Sequence, residues 1–108
     1  MIDDMITDFI NRSKSRYTAD QVKQALADNL SIVNEDGFIC FSIVQDECYT
    51  LFAYVRPGVS FKPFQYAVEL FAKTKGCKTS NFVTYREKAF ARKFKDYRPG
   101  PRLFQKNL

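Results

Sequence analysis

The sequence has no histidine and no tryptophan, and it holds three cysteines, four glycines and four prolines. The absence of histidine removes the usual general base, the commonest metal ligand and every Cys–His or Ser–His pair. An enzyme built on this chain must work with carboxylates, tyrosine, cysteine or bound water. The thiols Cys40, Cys48 and Cys77 are odd in number and show no Cys-x-x-Cys spacing. They read as reduced thiols rather than a disulfide framework. Three scattered thiols do not supply the four ligands of a structural zinc, so no metal is expected. No apolar run approaches the ~20 residues of a membrane span, and no membrane partner is expected. The N-terminus, Met1-Ile2-Asp3-Asp4, is acidic and unlike a secretory signal. The expected location is therefore cytoplasmic.

What is present suits one domain over residues 1–108. Apolar residues make up 45% and charged residues 27%, ordinary values for a globular chain. With 11 Phe and 6 Tyr, the core is expected to be built largely from rings. Charge is divided unevenly. Residues 1–55 carry a net charge of −5 and residues 56–108 a net +10. A basic half points to an anionic partner such as phosphate, nucleotide or nucleic acid, and equally to a solubilising surface.

Periodicity and punctuation supply the elements. Ile2, Met5, Ile6, Phe9 and Ile10 make one helical stripe over residues 2–11. Thr18-Ala19-Asp20-Gln21 is a capping box that opens a second helix to about Leu30, with Val22, Ala25, Leu26 and Leu30 facing the core. A brief strand, Ser31 to Val33, leads to a hairpin turn at Asn34-Glu35-Asp36-Gly37, where Gly37 tolerates a positive φ. Phe38 to Val44 and Cys48 to Arg56 are strands. In the second, Tyr49, Leu51, Ala53 and Val55 are expected on one face and Thr50, Phe52 and Tyr54 on the other. Both faces are largely apolar, which predicts helices on both sides of the sheet.

Pro63 fits the first turn of a helix that Gly76 closes. Its expected stripe is Phe64, Ala67, Val68, Phe71 and Ala72, with Gln65, Glu69 and Lys73 outward. Thr79 to Tyr85 is a strand, Glu87 to Tyr97 a helix, and Arg102 to Leu108 a last strand. The order α-α-β-β-β-α-β-α-β contains one strand–helix–strand crossover and so at least one parallel pair.

This order, with these residues, resembles the GNAT superfamily of acyl-CoA N-acyltransferases over nearly the whole chain from about residue 18. The strand Phe52-Ala53-Tyr54-Val55-Arg56-Pro57 looks like the family's leucine-x-valine-x-proline strand. Ala72-Lys73-Thr74-Lys75-Gly76 looks like its alanine-x-x-x-glycine helix end, and Ser80 to Phe94 with Leu103-Phe104 looks like its last third. The style is similar to small acetyltransferase-like proteins of tailed bacteriophages, which would make the location a host cytoplasm. The resemblance implies an α/β fold of GNAT type: a mixed sheet, splayed at one parallel pair, with helices on both faces. It implies acetyl-CoA or another acyl-CoA as cofactor and an amine as acceptor. It places the cofactor's pyrophosphate at the strand-to-helix loop, on Val55, Arg56, Gly58, Val59, Ser60, Phe61 and Lys62. The family's loop reads Arg/Gln-x-x-Gly-x-Gly/Ala. Here the loop has one glycine, Phe61 stands where a small residue belongs, and Pro57 and Pro63 each delete an amide donor. The tyrosine that many members use to protonate the departing thiolate is replaced by Lys93 and Phe94, with Tyr85 and Tyr97 nearby.

Two functions follow. One is an acyl-CoA-dependent N-acyltransferase with a non-standard loop. The other is an inactive GNAT-fold module, virion-associated or otherwise, whose basic half contacts nucleic acid or a protein. Its candidate contacts are Lys88, Arg92, Lys93, Lys95, Arg98 and Arg102, with Tyr85 and Tyr97 interleaved. A plain solvated helix accounts for the same residues. Glu35, Asp36, Asp46 and Glu47 read as turn residues before they read as bases. Glu69 reads as an i,i+4 partner of Lys73. Cys40 and Cys48 read as core thiols, and Lys75 and Lys78 are placed to lower the pKa of Cys77. If Arg102 to Leu108 is an open edge, a homodimer through it is a further possibility.

Overall fold

The computed structural model describes residues 2–13, 17–82, 92, 94–100 and 103–108. The first helix, α1 (Ile2–Ser13), turns Met5, Ile6 and Phe9 inward and keeps Asp3 and Asp4 at its positive end. Thr18 caps α2 (Ala19–Asp28) as its sequence demands. Its hydroxyl accepts from the Gln21 amide at 3.2 Å, and the Gln21 side chain accepts from the Thr18 amide at 2.9 Å. Helix α2 stops at Asp28, two residues short of the expected end, so Leu30 lies exposed in the next strand instead of facing the core.

Three strands follow as a meander: β1 (Leu30–Asn34), β2 (Gly37–Val44) and β3 (Glu47–Val55). Two-residue turns join them, and in the second Gln45 takes the left-handed conformation at φ 57°. Gly37 does not have the positive φ expected of it. A close approach requires it instead, because its Cα faces the Tyr54 carbonyl across the ladder.

Helix α3 (Lys62–Thr74) has Pro63 in its first turn and ends in a Schellman motif. Gly76, at φ 80°, donates to Lys73 O at 3.0 Å and Cys77 donates to Ala72 O at 2.9 Å. The remaining strands are β4 (Thr79–Phe82), β5 (Arg98–Gly100) and β6 (Leu103–Asn107).

The six described strands form one sheet in the order β1-β2-β3-β4-β6-β5, with β3–β4 the one parallel pair among them. Helices α1 and α2 cover one face, over Phe38 and Tyr54. Helix α3 covers the other, over Ile39, Phe41 and Cys48. Rings make up half of the α1-side core and the whole of a further cluster, Phe82, Phe94, Tyr97 and Phe104, while the α3-side core is mostly non-aromatic. Phe38 meets Phe9 edge-on at 5.5 Å and stacks on Tyr54 at 5.4 Å. Such pairs add about 0.5–1.5 kcal/mol each beyond area burial.

Four expectations change. First, β3 does not alternate throughout. Its register against β2 shifts so that Phe52 opposes Cys40 and Thr50 opposes Phe41, which leaves Leu51 as an extra residue. This bulge resets the side-chain phase. Thr50 now shares the α3 side with Ala53 and Val55, while Phe52 and Tyr54 face α1. Second, α3 is rotated on the sheet. Gln65 and Glu69, expected outward, are buried, and Glu69 pairs with Lys106 rather than Lys73. Third, the helix expected from Glu87 to Tyr97 lies mostly outside the described residues, and the chain has left helix by Phe94; Arg98–Gly100 is a strand. Fourth, the last strand is not an edge. β6 is hydrogen-bonded to β4 on one side and, over Leu103 to Gln105, to β5 on the other, so the open edge expected there is absent among the described residues.

Candidate functional site

β3 and β4 are in register from Glu47↔Thr79 to Thr50↔Phe82, the last pair among the described residues. At the next residue β3 bulges at Leu51, and from there to Val55 it pairs with β2 alone among the described residues. The carboxyl end of β3 is where open α/β sheets gather ligands. The loop from Arg56 to Phe61 leads from that end into α3.

That loop is shaped by a type II turn. Val59 donates to Arg56 O at 3.0 Å, and Gly58 supplies the positive φ of 82° at the third position. Of the expected ligand residues, Val55 ends β3 and packs into the α3-side core. Arg56 is committed elsewhere. Its Nε donates to Glu35 O at 2.8 Å and its Nη2 to the Asp4 carboxylate at 3.1 Å, which ties the loop to the first hairpin and to α1. This pairing, with the hydrogen bond its largest cause, lowers the Asp4 pKa. Ser60 Oγ accepts from the Lys62 amide at 3.3 Å, and the Phe64 amide donates to Phe61 O at 3.0 Å. The amides of Gly58, Ser60 and Phe61 make no hydrogen bond within the described residues. The Lys62 side chain is exposed. Phe61 packs edge-on against Phe82 and Phe94, each at 5.7 Å, and forms an aromatic wall beside the start of α3.

Beneath the parallel pair lies a polar cluster that hydropathy did not reveal. Gln65 is fully buried. Its amide nitrogen donates to Tyr97 Oη at 2.7 Å, and Tyr97 Oη lies 2.6 Å from Ser80 Oγ; Thr50 reaches the Gln65 carbonyl at 3.4 Å. Burial is the main reason that the Tyr97 phenol is pushed far above its usual pKa. Beside it, Lys106 bridges Glu69 at 2.7 Å and Asp96 at 2.6 Å. The sequence signal was there: Gln65 and Glu69 are four apart on a helix that has Val68 and Ala72 inward.

Two of the four acidic turn residues are engaged. Glu47 accepts from Tyr49 and Thr79, and Asp46 pairs with Lys78. The thiols are inert. Burial pushes Cys40 up to about 11 and Cys48 to about 12. Cys77 is also raised, by burial and then by Asp46, so the neighbouring lysines do not activate it. Of the alternative basic set, Lys88, Lys93, Arg102 and the ring of Tyr85 lie outside the described residues. Arg92 and Lys95 are exposed, and Arg98 on β5 donates to Asn107. Tyr97 is buried and so offers no ring to a base. Among the described residues no helix is long and apolar enough to cross a membrane.

No family model matches the sequence, and no curated protein matches it. Solved structures do. PaiA N-acetyltransferase from Thermoplasma acidophilum, in complex with coenzyme A, aligns with a TM-score of 0.67 at 16% identity, over 94% of this chain and 77% of that one. An acetyltransferase from Bacillus cereus ATCC 14579 aligns with a TM-score of 0.62 at 18% identity, over 94% of this chain and 87% of that one. The sheet order with its parallel β3–β4 pair, the two-sided helix cover and these alignments agree: the chain has the GNAT acetyltransferase fold.

Proposed function

We propose that the chain binds an acyl-CoA and passes its acyl group to an amine. The observation that carries this reading is the passage from β3, bulged at Leu51 beside its parallel pairing with β4, through the Arg56–Phe61 loop into α3. The neighbour from Thermoplasma acidophilum is a coenzyme A complex, which supports the same ligand class. The residues suit the group. Unbonded amides at Gly58, Ser60 and Phe61, together with the Lys62 ammonium, present donors and positive charge to phosphates. When bound, the thioester supplies the activated acyl group. The main chain of β3 beyond Thr50, which pairs with β2 alone among the described residues, would hydrogen-bond and orient an extended arm. Phe61, Phe82 and Phe94 exclude water on the α3 side. With no histidine in the chain, the amine's proton leaves to water or a carboxylate. The test is a thermal shift with acetyl-CoA. The midpoint rises, since a ligand at 100 times its Kd stabilises by about 2.7 kcal/mol. A midpoint unmoved at millimolar ligand removes the reading.

A second reading has its own support. Arg56 is held by Asp4 and Glu35, and Pro63 and the Ser60–Lys62 bond take two amides from the start of α3. That is the pattern of an inactive module whose basic half contacts nucleic acid through exposed Arg92, Lys95 and Arg98. Retention on DNA that falls steeply with salt supports it, and retention indifferent to salt rules out a phosphate-led contact.

A further inference from the structure

Among the described residues the sheet ends at β1, which is hydrogen-bonded to β2 alone. This edge is unprotected. Leu30-Ser31-Ile32-Val33-Asn34 has no charge and no proline, and its register with β2 is unbroken. Natural edges carry one or more of those devices to keep other strands away. Leu30 and Val33 are exposed to 38% and 42%. Along the α3 side of the edge runs a groove of about 220 Å³ lined by Ile32, Val59, Pro63, Phe64 and Ala67. A strand added to β1 would send alternate side chains into it.

Both ends of the edge are acidic. Asp28 precedes β1, and Glu35 and Asp36 follow it, with Asp36 lining the groove mouth. None of the three has an ion-pair partner among the described residues. Arg56, the nearby cation, bonds to the Glu35 carbonyl and spends its charge on Asp4.

We propose that the β1 edge and the groove beside it bind an extended cationic segment of a partner protein by strand addition. Its basic side chains meet Asp28 at one end and Glu35 and Asp36 at the other, and its alternate apolar side chains fill the groove. A second copy of this chain fits worse. Two-fold antiparallel pairing about Ile32 sets Asp28 of one copy opposite Asp36 of the other, and like charges opposed across strands repel. The groove reaches the Arg56–Phe61 loop, since Val59 and Ser60 line it, but the β1 backbone and the carboxylates of Asp28, Glu35 and Asp36 lie outside the groups assigned to acyl-CoA.

The test uses the full chain and a fluorescent peptide that alternates lysine with valine, followed by anisotropy, with a glutamate–valine peptide as control. The cationic peptide binds, salt weakens it and the acidic control does not bind. Val33→Lys puts a charge on the edge, and Asp28→Asn with Asp36→Asn neutralises its ends. Each weakens binding by about tenfold or more while the melting temperature stays put. Should Val33→Lys unfold the protein, the two exposed aspartates still decide the matter. Equal binding of both peptides, or none at millimolar protein, overturns the proposal. So does a dimer in sedimentation that Val33→Lys dissociates, since the edge would then belong to a second copy.

Discussion

A Cβ added at Gly37 would collide with the Tyr54 carbonyl oxygen and lie 2.9 Å from Val55 Cα, both backbone atoms that cannot turn aside. Gly37→Ala is therefore expected to cost about 3 kcal/mol, by prising β2 from β3. Gly58 is the contrasting case. It has open space around it but φ of 82°, so Gly58→Ala pays only left-handed strain of about 1 kcal/mol. Urea midpoints of the two variants separate steric from conformational need. The Lys106–Glu69 pair invites a similar comparison. Lys106→Met leaves the buried Glu69 carboxylate without its cation and should destabilise by about 2–3 kcal/mol, the lower end reflecting partial contact with water. Adding Glu69→Gln should restore part of the loss, and a double-mutant cycle measures it. That pair was illegible because Glu69 has a reasonable local partner four residues on. Only the sheet beneath α3 shows that the residue faces inward.

Among the elements, those set by bonds within one turn of chain were readable. The Thr18 box, Pro63 at the start of α3 and the Gly76 stop all stand as their residue types require, because each satisfies backbone groups three to five residues away. Thr18→Ala should lower stability by about 1 kcal/mol, read as a shift in the urea midpoint at constant slope. The Leu51 bulge was not readable. It is a mismatch between two strands, and alternation along β3 alone predicts the wrong faces on one side of it. The β5 strand was missed for a related reason. Arg98-Pro99-Gly100 looks like a helix stop, and β6 lying alongside makes it a strand.

At the scale of the molecule, burial of weak acids sets the pH range. Cys40 is held at about 11, Cys48 at about 12, and Cys77 and Tyr97 are also raised. Raised folded values give stability that is complete below the unfolded values, about 8.5 for a thiol and about 10 for a phenol, and that is lost as pH rises through the folded ones. The urea midpoint should therefore fall steadily above about pH 8.5, and a flat alkaline profile would contradict this burial. On the acid side, Asp8 and Asp96 are lowered, first by hydrogen bonds from Tyr54 and Lys106 respectively. Their contribution is present above the unfolded value near 3.9 and fades as pH falls through the folded ones.

The residue order by itself determined the helix caps, the meander of three strands, the crossover through α3 and hence the one parallel pair. Each follows from hydrophobic period and turn chemistry, which act over a few residues. Tertiary structure alone decided where β3 bulges, which side of α3 is buried, that Arg56 serves the hairpin, and that β1 ends the sheet among the described residues. Those outcomes depend on contacts between residues far apart in the chain, where a single inserted residue or a rotated helix changes every partner at once.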